Sequence, residues 1–393
     1  LPIVGYIRRC KLLKLITSGN IMTVLTGRNI TLVLLIGATI VLNACGSTDK
    51  SKSVTISTQP EPQGKIVKSP IDSREYKSIV LDNQLEVMLV SDPSIEKSAA
   101  ALSVAVGSFQ EPKEFGGLAH YLEHMLFLGT KSFPTVGDYS EFVSRNGGSQ
   151  NAYTQLDHTN YMVAVKNDAY DEALSRFSGF FYEAILEESY ADKERNAVHS
   201  EWTMKSPNDW VILEQLNGST LNPEHPISQF NWGNLDSLVD KENNKLQAAL
   251  EDMYNTYYSA NLMKGAMVSN LPIAEMKKLA QENFGKIPNK NTPRPQISAS
   301  VAKSEHLKKV VHYIPQTDMK QLRINFVIEN NAQQFVVKPN GYVNYLLANE
   351  MSGTLASALR DAGLSDAVYS NYDADEYGNA GSFTLYIDLT ESG

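Results

Sequence analysis

The stretch HYLEHMLFLGT at residues 120–130 aligns without a gap against NYLLANEMSGT at 344–354, and SRNGGSQNAYT at 144–154 parallels RDAGLSDAVYS at 360–370. Each copy of the first stretch follows strand-like sequence and precedes a helical pattern that ends in a Gly-containing turn. A repeat of this kind forces one scaffold to be used twice, since each copy has its own apolar face to bury. Strands come in groups and so do helices, which predicts an α+β fold of mixed or antiparallel sheet packed by helices, not a doubly wound sheet. At 393 residues the chain also exceeds one ordinary core, so two domains are expected.

The strand signals lie at 78–81 and 85–90 around Asp82-Asn83, then at 99–106, 149–154, 158–165 and 265–270. Helical patterns follow residue 117 and recur near 138–146, from 168 to about 205, near 243–258 and at 273–284. The expected organisation is a leader over 1–44, a flexible tether over 45–74, a first repeat over 75–288, a linker over 289–303 and a second repeat over 304–393. Ser, Thr, Lys and Pro without periodicity mark the tether.

The leader has its own logic. Met22 is the expected biological start: Arg28 supplies a positive n-region, 30–42 is apolar, and Leu42-Asn43-Ala44-Cys45 follows. This 13-residue run is short of the roughly 20 needed to span a bilayer. Cys45 after a small residue is similar to a bacterial lipobox, which implies acylation of its thiol and, with Gly46 next, an outer-membrane lipoprotein facing the periplasm. The alternative is a soluble periplasmic protein released by an ordinary signal peptidase. Only Cys10 and Cys45 exist, so a chain maturing at Cys45 has no disulfide to form and no downstream thiolate to use as ligand or nucleophile. A net charge of −9 without a basic stripe excludes nucleic acid as the expected partner.

In the first repeat the helix after Gly116-Gly117 carries His120, Glu123 and His124, where the second has Asn344, Leu347 and Ala348. The scaffold therefore does not need the three polar groups. Residues three and four apart are neighbours on a helix, so Glu123 and His124 both lie beside His120. Two imidazoles so placed can grip one metal ion, and the glutamate between them can hold a water; His-x-x-Glu-His is the inverzincin order. A catalytic zinc site needs a third protein ligand. The helix bearing ERNAVHSEW offers Glu194 and Glu201, which share a face but stand about 10 Å apart along the axis. Both cannot bind one ion, and spacing alone leaves the choice open.

From about residue 75 to 393 the chain resembles the insulinase/pitrilysin family of zinc peptidases. The resemblance rests on GGLAHYLEHMLFLGT, DYSEFVSRNGGSQNAYT, HTNY, ERNAVHSE and NPEHPISQFNWGN in that order, with Glu201 77 positions after His124. It implies tandem α/β rolls of that family, the second inactive and incomplete. It also implies one Zn²⁺ per chain held by His120, His124 and Glu201, with Glu123 as general base and Glu194 as the carboxylate that orients a histidine. Asn151 and Ala152 would lie on a strand edge that binds the substrate backbone by β-augmentation. The activity implied is a zinc-dependent endopeptidase acting on peptides or small unfolded polypeptides through an activated water.

Long family members carry four related domains in two halves, and an Arg and a Tyr of the second half stabilise the tetrahedral intermediate. Nothing in this sequence can be assigned to them. The expectation is a fragment that binds zinc and needs a C-terminal half or partner chain for full activity. The rival readings are a non-catalytic structural homologue and a membrane-tethered protein that captures peptides without cutting them.

Overall fold

The computed structural model describes residues 66–393; the leader, Cys45 and the tether through residue 65 lie outside the described residues. The described residues divide into one compact unit over 66–311 and a second over 312–393. No described helix is long and apolar enough to cross a membrane.

The first unit is built on a six-stranded sheet. Strands β1 (Glu75–Val80) and β2 (Glu86–Ser91) form the expected antiparallel hairpin. Its turn is fastened where the Asn83 amide donates to the carbonyls of Phe284 and Ile287. Strand β3 (Lys97–Val104) runs into the repeat. Helices α1 (Leu118–Leu126) and α2 (Asp138–Arg145) come next, then strands β4 (Ser149–Thr154) and β5 (Thr159–Lys166). Strand β6 (Met263–Ser269) inserts between β2 and β3, giving the order β1-β2-β6-β3-β5-β4, parallel only at β2–β6. Strand β4 is thus an edge, paired on one side with β5 alone.

Alternation decides the faces. In β3 and β5 every second residue is buried, so Leu102, Val104, Tyr161, Val163 and Val165 point into one core. Aromatic rings fill it: Phe181 and Tyr258 pack against Tyr161, Phe177 and Phe180 pack against Phe181, and the Tyr161 and Tyr258 hydroxyls satisfy each other at 2.6 Å. Each such ring contributes roughly 1.5–3 kcal/mol by leaving water.

The helical pattern over 168–205 resolves into α3 (Tyr170–Gly179) and α4 (Ala191–Lys205). Between them the chain leaves the helix to bury Phe180, Phe181 and Leu186, and Ala184 bridges to Thr130. Sequence periodicity did not reveal α5 (Asp209–Thr220). Its apolar residues wrap around the axis, so that Trp210 is exposed while Val211 is buried. The Asn208 side chain caps it by accepting from the Trp210 amide at 2.8 Å, which is the signal that marks its start. Helices α6 (Leu246–Tyr257) and α7 (Ile273–Asn283) complete the unit.

The second unit retraces the same path. Strand β7 (Gln321–Glu329), helices α8 (Pro339–Ala348) and α9 (Leu355–Asp361), and strands β8 (Ser365–Asp373) and β9 (Ala380–Leu389) form a sheet of order β7-β9-β8. This is the order β3-β5-β4 of the first unit, with the same antiparallel pairings. Helix α8 starts earlier than the gapless register suggests. Pro339 at its first turn presets φ for the helix, and Asn349, accepting from the Met351 amide, ends it. Ala356, Val368, Leu385 and Ile387 form its small core.

Candidate metal centre

Helix α1 is apolar on the side that meets the core. Leu118, Ala119, Tyr121, Leu122, Met125 and Leu126 are all buried, and His120 and His124 emerge one turn apart on the opposite face. Their rings sit edge to face with centroids 4.9 Å apart. Helix α4 has Val198 as its one buried residue; Glu194 and Glu201 flank it on the face turned toward α1.

A close approach of backbones sets the height of α1. A Cβ on Gly117 (φ 89°) would fall 2.1 Å from Gly233 Cα, and one on Gly233 (φ 84°) would fall 2.8 Å from Val198 Cγ1. Glycine is required at both positions by conformation and by space. Their contact brings the Trp232 carbonyl to within 3.1 Å of His120 Nδ1.

The two α4 glutamates separate by role. Glu201 reaches between the imidazoles, Oε2 lying 3.3 Å from His120 Nε2 and Oε1 3.7 Å from His124 Nε2. Glu194 Oε2 lies 3.5 Å from His124 Nδ1, on the far side of that ring. Both Nε2 atoms therefore face a common centre while both Nδ1 atoms face acceptors, an arrangement that fixes tautomer and ring orientation. Among the described residues His120, His124 and Glu201 are a group whose ligand atoms all lie within 4.8 Å of one another.

Two neutral imidazoles and one carboxylate are the donors of a catalytic zinc site. Bonds of about 2.0–2.2 Å at tetrahedral angles set ligand atoms about 3.3–3.6 Å apart, and the two imidazole–carboxylate separations of 3.3 and 3.7 Å are near this. The residues present fit a divalent ion.

Electrostatics divides the site. Burial pushes the His120 imidazole down, yet its bond to Glu201, the charge of Glu123 and the Trp232 carbonyl outweigh this and hold it above the ordinary value. For His124, burial and the neighbouring His120 prevail over Glu201 and Glu194 and hold it low. The bond from His120 keeps the Glu201 carboxyl low.

Glu123 is different: it is 7% exposed, and burial raises its carboxyl against the opposing bond from Thr154 and the charge of His120. Thr154 Oγ1 donates to its Oε2 at 2.7 Å. A carboxyl raised by burial and standing beside two imidazoles has the character of a proton carrier.

These groups open into a cleft of about 1090 Å³. One wall is the edge strand β4 with Asn151 exposed and Ala152 half-buried; the other is the start of α5, where Asn208, Trp210, Val211 and Glu214 line the space. Phe127, Leu128 and Val136 form an apolar floor beside His124. Sequence reading assigned no role to Thr154, Trp232 or α5. The first two lay inside motifs already recognised, as NAYT and FNWGN, but no rule of spacing links them to α1.

Comparison with known proteins supplies the context for this geometry. Residues 86–224 match the family model "Insulinase (Peptidase family M16)", and residues 246–392 match "Peptidase M16 inactive domain". The chain is 41% identical over 331 residues to Protease 3 of Escherichia coli (strain K12), covering 84% of this chain and 34% of that protein. It is 37% identical over 331 residues to insulin-degrading enzyme of Homo sapiens, covering 84% of this chain and 32% of that protein.

The crystal structure of pitrilysin superposes with a TM-score of 0.82 at 41% identity, over 84% of this chain and 35% of that one. A protease from Helicobacter pylori shares the fold at 20% identity, with a TM-score of 0.65 over 81% of this chain and 75% of that one. The chain spans about a third of the length of the curated relatives it matches. Its two repeats, one with the polar cluster on its helix and one without, are domains of peptidase family M16, the insulinase/pitrilysin family.

Proposed function

We propose that this chain is a zinc-dependent peptidase subunit that hydrolyses extended peptides or small unfolded polypeptides laid along β4. The observation that carries this reading is the convergence of His120 Nε2, His124 Nε2 and both Glu201 oxygens on one centre beside the buried carboxyl of Glu123. His120, His124 and Glu201 would hold one ion, which when bound supplies Lewis acidity toward a carbonyl and lowers the pKa of water to about 7.

The chain's own groups do the rest. Glu123 accepts a proton at Oε1, the oxygen not engaged by Thr154, and delivers it to the departing amine. Strand β4 offers unpaired backbone N–H and C=O groups to a peptide backbone, a mode that tolerates many side chains. The apolar floor at Phe127, Leu128 and Val136 favours a hydrophobic side chain near the scissile bond.

Names of relatives agree with this chemistry, one being a protease and another an insulin-degrading enzyme. Attachment to the cell envelope through Cys45 rests on the sequence alone, and metabolic labelling with an alkynyl fatty acid, lost in Cys45→Ser, tests it.

The decisive experiment pairs metal content with turnover of a quenched fluorescent peptide. Glu123→Gln is expected to keep about one zinc per chain while losing about 10²–10⁴-fold in rate, the usual contribution of a general base. His124→Ala is expected to lose the metal itself. Equal zinc in both variants contradicts the assignment, and an inactive wild type that binds zinc and peptide favours the peptide-capture reading instead.

A further inference from the structure

Helix α1 carries the histidines, yet its own sequence gives it no cap. The residue at its N-cap is Gly117, which has no side chain to accept the free amides of the first turn. Those amides are instead met from outside the helix. Glu111 Oε2 accepts from the Gly117 N–H at 2.8 Å, and Glu111 Oε1 accepts from the Ala119 N–H at 2.9 Å. Ala119 immediately precedes His120. One carboxyl group therefore grips the turn of backbone from which the first imidazole projects, through the amides and not the ring.

The second repeat sharpens the point. Glu111 stands seven residues before the start of α1, whereas the nine residues before α8, 330–338 (NNAQQFVVK), hold no aspartate or glutamate. Helix α8 likewise has no side-chain cap and begins on Pro339. The copy without the polar cluster is also the copy without the carboxylate clamp. A clamp needed only for helix formation would be needed twice.

We propose that Glu111 is a positioning residue for the metal centre: by fixing the Gly117 and Ala119 amides it sets the height and rotation of the first turn of α1, and so the aim of His120 Nε2 at the point shared with Glu201. It works with the Trp232 carbonyl, which holds the other nitrogen of the same ring. Two independent anchors, one on the backbone and one on the ring, leave the imidazole a single orientation. Partners of this kind behind a ligand typically contribute 10–100-fold to metal affinity.

This inference rests on the proposed metal site, and its test reads metal binding directly. The full chain as wild type, Glu111→Gln and Glu111→Ala is titrated with zinc against a competing chelator. The visible spectrum of the cobalt(II) form and the melting temperature of the metal-free protein are recorded alongside. Glu111→Ala is expected to bind zinc about 10–100-fold more weakly and to change the cobalt spectrum, at temperatures where the metal-free protein is fully folded. Glu111→Gln, which keeps one acceptor of the right length, is expected to recover part of the loss, and it carries the test should the alanine variant fail to fold.

Wild-type affinity and an unchanged spectrum in both variants overturn the role of Glu111 while leaving the metal site standing. Weakening that appears only where the metal-free variant is already unfolding overturns it too. A wild type that binds no zinc removes the metal reading and this inference together.

Discussion

The two repeats follow one path, β3–α1–α2–β4–β5 and β7–α8–α9–β8–β9, and differ in what their first helices carry. Helix α1 buries six apolar residues together with Glu123, whereas α8 buries none of its residues. One hydroxyl donor survives in both, although it meets different positions of the first helix, since Asn344 aligns with His120 and Leu347 with Glu123. Thr154 at the end of β4 donates to Glu123 on α1 at 2.7 Å, and its counterpart Ser370 on β8 donates to Asn344 on α8 at 2.9 Å. A hydroxyl reaching from strand to helix thus belongs to the scaffold, and the first repeat directs it at a carboxylate. The lesson is that the site is an overlay of charged groups on a frame that stands without them.

The largest test rebuilds the first repeat as the second. The triple variant His120→Asn, Glu123→Leu and His124→Ala should lose all zinc by elemental analysis. In the metal-free state it should melt no lower than wild type, since a buried carboxyl with a single hydrogen bond gives way to an apolar side chain. A fall in melting temperature like that of a core deletion would mean the polar groups are structural after all.

A smaller effect separates the two shared hydroxyl contacts. Thr154→Val leaves a buried carboxyl oxygen without its donor and should destabilise the metal-free protein by about 1–3 kcal/mol. Ser370→Val breaks a neutral bond at a half-buried site and should cost about 0.5–1.5 kcal/mol. Calorimetry on both variants measures the difference, and equal costs would place Glu123 on the same footing as Asn344.

The smallest is a slope with pH. Burial pushes the Glu111 carboxyl from 4.5 up to about 8, against the pull of the Gly117 and Ala119 amides and the charge of His120. A raised carboxyl binds its proton more tightly in the folded state. Its contribution is fully present below about 4.5 and is lost as pH rises through about 8. The metal-free wild type should therefore lose stability relative to Glu111→Gln across that window. Parallel melting curves for the two proteins from acid to mild alkali would contradict it.

Much of this was legible in the residues. The repeat, the α+β class, the β1–β2 hairpin and the helical spacing of His120, Glu123 and His124 all follow from patterns of period two and 3.6. Helix α5 escaped because it buries one residue here and exposes the next, leaving no period to find. The divided helical pattern over 168–205 was hidden because Phe180, Phe181 and Leu186 satisfy a helical pattern as well as they fill a core.

What the sequence determined alone is local: which side chains share a helix face, where glycine must stand, and that the second copy lacks the polar groups of the first. Only the tertiary structure decided which α4 glutamate faces the histidine pair and which stands behind a ring. It alone brought Trp232 and Thr154 to α1 from distant parts of the chain and turned the nearby Glu111 back onto its first amides. The physical reason is range. Helical periodicity extends over a few residues, whereas a coordination centre is defined by atoms a few ångströms apart on segments that only packing brings together.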